Sequence, residues 1–255
     1  MAAYPPDVIV LDTDSLLHAR IERDKRGVRI VQAKAYRLAA DTFSAAVVTP
    51  ELTNEASLVE VLRRLRVESG RWDKVSILLP DSWFRINMLD IPSFNERQSD
   101  ALEVVRWSLK RTIPIAPEEL RITWQVISHA GAAAKLLVVS ALAKTLATIE
   151  RIFGDAGMEV AMIEPIGLNV WNAIGVREAA TAKDRLFLYV RDREFTTAVS
   201  AARSRSSSAR AICRTSGRCS RRFASRRTTS ATRSASRRSR TATSRAIETE
   251  KSLRW

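Results

Sequence analysis

Asp7-Val8-Ile9-Val10-Leu11-Asp12-Thr13-Asp14-Ser15 opens the readable part of this chain. Val8 to Leu11 is a short continuous apolar run, as expected of a strand buried on both faces. The two aspartates, Thr13 and Ser15 that follow are turn residues, whose short polar side chains bond back to their own backbone. Leu17, Ala19 and Ile21 then alternate with polar neighbours, Asp24-Lys25-Arg26-Gly27 supplies a hairpin turn, and a further strand starts at Val28. The chain therefore opens as a three-stranded meander.

Working outward, Leu58, Val61, Leu62 and Leu65 fall at helical spacing, which predicts an amphipathic helix over about residues 55–68. Val75-Ser76-Ile77-Leu78-Leu79 is the next buried strand, stopped by Pro80. Phe84, Ile86 and Met88 alternate as a strand, and Ser93 with Glu96 forms a capping box for a helix burying Ala101, Val104, Val105 and Leu109. Ile113-Pro114-Ile115-Ala116-Pro117 breaks that helix and holds the chain extended. Strands are expected at Leu120 to Val126 and Leu136 to Ala141, followed by a helix striped by Leu142, Leu146, Ile149, Ile152 and Phe153 that ends near Gly157. Met158 to Ile163 reads as a strand, Leu168, Trp171 and Ile174 as a helix stopped by Gly175, and Leu186 to Val190 with Phe195 to Val199 as a strand, turn and strand.

Charge divides the chain near residue 200. Of 42 basic and 28 acidic residues, fifteen Arg, one Lys, Glu248 and Glu250 lie in 201–255, so the preceding part is neutral and the whole net charge of +14 sits in the tail. The tail has no Asp, Asn, Gln, Pro or Val, and its apolar residues are scattered, so it cannot bury enough surface to fold. Two origins compete. A slipped reading frame yields such text with no function in it, whereas a selected Arg-rich arm would neutralise phosphates and bind nucleic acid. The composition favours the slip. Both cysteines, Cys213 and Cys219, fall in the tail, so no disulfide framework is expected. Neither a signal peptide nor an apolar run of about 18 residues is present, and the body reads as cytosolic.

A set of strings in a fixed order carries a resemblance. They are Leu79-Pro80-Asp81-Ser82-Trp83-Phe84-Arg85, Leu89-Asp90-Ile91-Pro92, Arg111-Thr112-Ile113-Pro114-Ile115 and Leu137-Val138-Val139-Ser140-Ala141 with Lys144, then Asp155-Ala156-Gly157-Met158 and Ile163-Glu164-Pro165-Ile166-Gly167-Leu168. With the element order they resemble the actin-like PilM proteins of type IV pilus assembly over roughly residues 7–200. The cytoplasmic domain of the type II secretion protein GspL and the cell-division protein FtsA are more distant relatives.

The resemblance implies an α/β, actin-like (ribonuclease-H-like) fold. Residues 7–80, completed by 165–180, would be the first large subdomain and 81–164 a small inserted α+β subdomain. Residues 185–200 would be the opening hairpin of an incomplete second half, and 201–255 a disordered basic tail, the chain being truncated or frameshifted after about residue 200. It also implies ATP held with Mg between two glycine-containing turns, where backbone N–H groups approach the phosphates. Asp12, Thr13, Asp14 and Ser15 match the first turn. Asp12 keeps the acidic position and Ser15 a hydroxyl, but Asp14 stands where the family has glycine, and Arg191-Asp192-Arg193 replaces the second turn. A degenerate phosphate loop is therefore expected, with no catalytic or metal residues and no cofactor except ATP and Mg on the strength of the resemblance. Asp12 and Asp14 read independently as turn caps.

Other candidates have plainer readings. His18 and His129, far apart in sequence, are expected at the surface, Glu118-Glu119 as a solvated corner beside Pro117, and Trp72, Trp83, Trp107, Trp124 and Trp171 in cores. The function expected from the resemblance is an adaptor, cytoplasmic and peripheral to the inner membrane, that binds the cytoplasmic tail of a bitopic inner-membrane protein in a groove between the first two subdomains, without membrane insertion. Self-association stays open. The alternatives are nucleic-acid binding through the Arg-rich tail and an active actin-like ATPase.

Overall fold

A computed structural model describes residues 5–24, 27–44, 51–70, 73–97, 99–177, 185–191, 195–200 and 211–216. In chain order the elements are β1 (Asp7–Leu11), β2 (Ser15–Asp24), β3 (Gly27–Arg37), α1 (Glu55–Ser69), β4 (Lys74–Leu79), β5 (Phe84–Ile91), α2 (Ala101–Lys110), β6 (Leu120–Ala130), β7 (Ala133–Leu142), α3 (Ala143–Asp155), β8 (Glu159–Pro165), α4 (Ile166–Arg177), β9 (Arg185–Val190), β10 (Phe195–Ser200) and β11 (Ala211–Ser216).

The first sheet has the order β3-β2-β1-β4-β8, with β1 antiparallel to β2 and parallel to β4, and β4 parallel to β8. Its opening meander is the one expected from the sequence, but β2 is out of phase with that expectation: Leu16 and His18 are buried, whereas Leu17 is 38% exposed. Cross-strand register decides this. Leu16 pairs with Leu11, His18 with Ile9 and Arg20 with Asp7, and partners in a ladder share a face. Since Asp7, Ile9 and Leu11 point inward, so do their partners. His18 is therefore fully buried rather than exposed. Its Nε2 lies 2.9 Å from Asp7 Oδ1, and Arg20 donates to the other carboxylate oxygen at 3.0 Å, so the Asp7 carboxylate carried into the core is paired through both oxygens.

Helix α1 starts where the Asn54 side chain accepts the Ser57 N–H at 3.1 Å and buries Leu58, Leu62 and Leu65. Helix α3 contributes Leu146, Ile149, Ile152 and Phe153 to the same core. The second sheet, β5-β7-β6, is antiparallel. Strand β7 is buried on both sides: Leu137, Val139 and Ala141 join the main core, while Leu136 and Val138 join a second core with Leu89, Ile91, Val105 and Leu109 beneath α2.

The expected Ser93/Glu96 capping box is not formed. The chain turns at 95–97, where Arg97 N–H bonds to Asn95 Oδ1 at 3.1 Å, and α2 begins only after Asp100. Trp107 also departs from its expected place in a core. Val105 and Leu109 define the inward side of α2, and a residue midway between them at 100° per residue faces away, leaving Trp107 66% exposed. Trp83 is buried, Trp124 and Trp171 are half-buried, and Trp72 lies outside the described residues.

The third sheet has the order β11-β10-β9 and is antiparallel throughout. The hairpin expected over 185–200 is thus joined by a third strand, drawn from within the segment expected to be unstructured. Ladder bonds are made by backbone groups that every residue carries apart from the missing proline N–H, so an Arg- and Ser-rich text does not exclude a strand. The remaining tail expectations lie outside the described residues. Phe187 stacks on Trp171 at 6.0 Å between ring centres, and Ala198 is buried in the main core, while Leu186, Leu188 and Val190 face outward. Helix α4 continues through Gly175 to Arg177 instead of stopping there; one helical glycine costs only about 1 kcal/mol against alanine.

Candidate functional site

Strands β1, β4 and β8 run parallel, so their carboxyl ends form the kind of crevice in which open α/β sheets hold ligands. The four residues singled out from the sequence lie at one of those ends, in the β1–β2 turn. Asp12 N–H bonds to the Ser15 carbonyl at 2.8 Å, Thr13 N–H to Asp12 Oδ1 at 2.7 Å, and the Ser15 hydroxyl to Asp14 Oδ1 at 3.1 Å. Leu38 N–H bonds to the Asp14 carbonyl at 2.9 Å, tying the turn to the end of β3. Both aspartates therefore serve the turn's own hydrogen bonds. Arg191, just past β9, reaches across and ion-pairs with Asp12.

Two acids at this crevice were not picked as site residues from the sequence. Asp81, two residues past β4, is buried and accepts the Gly167 N–H at 2.8 Å and the Thr196 hydroxyl, joining the starts of α4 and β10 to the first sheet. Gly167 is required here, because a Cβ built on it would stand 1.9 Å from Asp81 Oδ2. Glu164 near the end of β8 is also buried, which pushes its pKa up, opposed by a hydrogen bond from Asn169. The available signal was position: each acid lies next to a proline at the end of a predicted buried strand. Among the described residues no group of three or more His, Cys, Asp or Glu could hold a metal ion.

A second concavity, of about 560 Å³, lies between the first sheet's connecting loop and the second sheet's helix. Phe43, Leu52 and Glu55 form one wall; Glu119, Leu142, Lys144, Thr148 and Ile149 form the other. Its lining is apolar at Phe43, Leu52, Leu142 and Ile149, and Glu51, Glu55 and Glu119 outnumber Lys144 among the charged residues. The walls are held in register by Arg151 of α3, which ion-pairs with Glu55 of α1 at 2.7 Å. Phe43 is in turn set by a β-bridge to Leu52 and by the Trp83 ring, 5.0 Å away. The proline segment acts from behind. Ile113 packs on the second core, and buried Pro117 opens the short 3-10 turn that carries Glu119 to the groove.

The other sequence candidates are dispersed. His129 is exposed as expected, Glu118 and Glu119 form the expected solvated corner, and Asp90 is exposed and paired with Lys135 at 2.8 Å. Cys213 falls in β11 and Cys219 lies outside the described residues.

No protein-family model matches the sequence, and no curated protein matches it. Solved structures do match in fold. The PilM–PilN type IV pilus biogenesis complex matches at a TM-score of 0.64 and 15% identity, over 81% of this chain and 60% of that chain. The cytoplasmic domain of EpsL, an inner-membrane component of the type II secretion system of Vibrio cholerae, matches at 0.48 and 12%, over 81% and 70%. A Bacteroides thetaiotaomicron protein with an actin-like ATPase fold and unknown function matches at 0.47 and 12%, over 83% and 70%. The chain thus spans about 60% of the length of the first of these. Its mixed α/β architecture is the actin-like fold of PilM, as the ordered strings between Leu79 and Leu168 indicated.

Proposed function

We propose that this chain is a docking adaptor of a type IV pilus or type II secretion-like assembly, and that its groove takes an extended segment of an inner-membrane protein's cytoplasmic tail. The observation that carries this reading is the groove itself, a slot of mixed apolar and polar lining with walls from two sheets' connections, bridged at its edge by Arg151 on Glu55. Such a slot suits alternate side chains of an extended peptide, with main-chain groups left to the polar rim. With Glu55 paired to Arg151, Glu51 and Glu119 against Lys144 favour a segment carrying basic residues. The fold likeness to a PilM solved together with PilN supports the same reading.

On this reading residues 7–80 with 165–180 form one subdomain and 81–164 an inserted one, with the groove at their junction. The protein would work in the cytoplasm against the inner membrane. No helix among the described residues is long and apolar enough to cross a bilayer.

Nucleotide has no part in it. The Asp14 side chain stands where a phosphate-binding turn needs a bare backbone, its carboxylate would repel phosphate oxygens, and the Arg191 guanidinium covers Asp12. On this reading these residues do not fit a nucleoside triphosphate with its metal, and the turn is structural. The nucleic-acid alternative concerns residues outside the described ones.

The test is capture of synthetic peptides covering the cytoplasmic tails of inner-membrane pilus and secretion proteins, read by fluorescence anisotropy on the full chain. Saturable binding that Thr148→Trp abolishes by filling the groove is the expected result. Binding unaffected by Thr148→Trp, or no binding to any such tail, would overturn the proposal. Peptides with their basic residues replaced should bind about tenfold more weakly, corresponding to roughly 1.4 kcal/mol.

A further inference from the structure

Helix α2 presents an outward surface that the docking function does not use. Its inward side is fixed by Ala101, Val105 and Leu109 against the second sheet. Opposite them stands Trp107, 66% exposed, with the Arg111 guanidinium 5.8 Å from its ring centre and Lys110 beside it, exposed, at the last helical position. Cations at a helix carboxyl end also suit its partial negative charge, so Lys110 and Arg111 are stably held there. Among the described residues neither has an acidic ion-pair partner; the nearby Arg106 is paired with Glu103.

An exposed indole flanked by two cations puts an apolar ring and positive charge on one surface. It matches the layered chemistry of a bilayer surface. An indole sits at headgroup level with its apolar ring toward the acyl chains and its N–H toward water, while Lys and Arg reach the phosphates. A nucleic acid would call for a run of stacking aromatics, and this surface has one.

We propose that Trp107, Lys110 and Arg111 form a contact site for anionic phospholipid headgroups, holding this side of the protein against a membrane surface without insertion of a helix. Placement agrees with the groove's task. Helix α2 packs on the 3-10 turn Pro117–Glu119, and Glu119 lines the groove, so the two features occupy neighbouring surfaces. A tail emerging from a bilayer could then enter the groove over a short span. That placement argument rests on the docking function; lipid contact itself does not.

The experiment uses the full chain with vesicles of phosphatidylcholine alone or mixed with phosphatidylglycerol, some carrying acyl-chain bromines that quench indole at short range. No partner peptide is added, so failure of the groove reading leaves the result untouched. The parent should show bromine quenching on mixed vesicles of which Trp107→Phe removes a distinct part, the tail's Trp255 giving a background common to both. Lys110→Glu with Arg111→Glu should weaken that quenching by about tenfold or more, since each cation near an anionic surface contributes about fivefold. The fifteen arginines of 201–255 would draw every variant to mixed vesicles, so sedimentation alone decides nothing and the difference between parent and Trp107→Phe is the signal. Equal quenching in parent and Trp107→Phe would overturn the proposal. So would Trp107-dependent quenching indifferent to the charge reversals, or protection of Trp107 by a protein partner and never by vesicles.

Discussion

Replacing Asp81 by alanine should unfasten the crevice. In the native protein its buried carboxylate accepts the Gly167 N–H at 2.8 Å and the Thr196 hydroxyl, so it is the common partner of two donors from α4 and β10. Without it both donors stay buried and lose their acceptor. Each such loss costs about 1–3 kcal/mol, and some relaxation is available to the threonine hydroxyl, so we expect a total near 3 kcal/mol. At about 3 °C per kcal/mol for a domain of this size, the melting temperature should fall by about 9 °C. Amide exchange should accelerate at 166–170 and 195–200 while Leu58, Leu62 and Leu65 of α1 keep their protection. Gly167→Ala attacks the same joint from the other side, since its Cβ would stand 1.9 Å from Asp81 Oδ2. Combined with Asp81→Ala it should therefore add little, a non-additivity that a double-mutant cycle measures. A melting temperature within about 2 °C of the parent for Asp81→Ala, or additive effects of the two substitutions, would refute the argument.

Glu164 offers the opposite sign. Burial raises its folded pKa, so its stability contribution is complete below the unfolded value and is lost as pH rises through the folded one. Glu164→Gln should accordingly raise the melting temperature at pH 7 and give no gain at pH 4. The cluster on the outer strand predicts both ends of the pH profile. Hydrogen bonds from Lys34, then Tyr36 and Arg64, hold Glu68 down at about 2 from its ordinary 4.5, so its contribution is present at neutral pH and disappears as pH falls from 4.5 toward 2. Burial, with help from Glu68, pushes Tyr36 up to about 12 from 10.0, so stability should also decline between those values. Tyr36→Phe would remove the alkaline decline in a pH series of thermal melts.

Much of this fold was legible because its signals are local. The apolar run at Val8 to Leu11, the Asp-rich turn after it and the helical spacing of Leu58, Leu62 and Leu65 each specify an element without help from the rest of the chain. Features set by partners distant in sequence were not. The phase of β2 follows from pairing with β1, which puts His18 opposite Ile9, and nothing in the alternation of Leu17, Ala19 and Ile21 carries that register. Glu96 lost its capping role because the turn at Asn95 delays the helix to Asp100, whereas the exposure of Trp107 was legible, since at 100° per residue it lies opposite Val105 and Leu109. At the candidate sites, the Asp12–Ser15 turn was visible as a string, but Asp81 gained its role only when residues 86 and 115 positions away came to meet it. The groove is likewise a product of packing, assembled from segments on either side of the Arg151–Glu55 pair.

Among the described residues, strand β9 sets Leu186, Leu188 and Val190 in an exposed row, 71%, 57% and 59% exposed, on an edge of a three-stranded sheet. Aliphatic rows of this kind on open edges are what chaperones and quality-control proteases grip. The chain's half-life in a cell would therefore be governed less by the firmness of its two cores than by how promptly something covers that row.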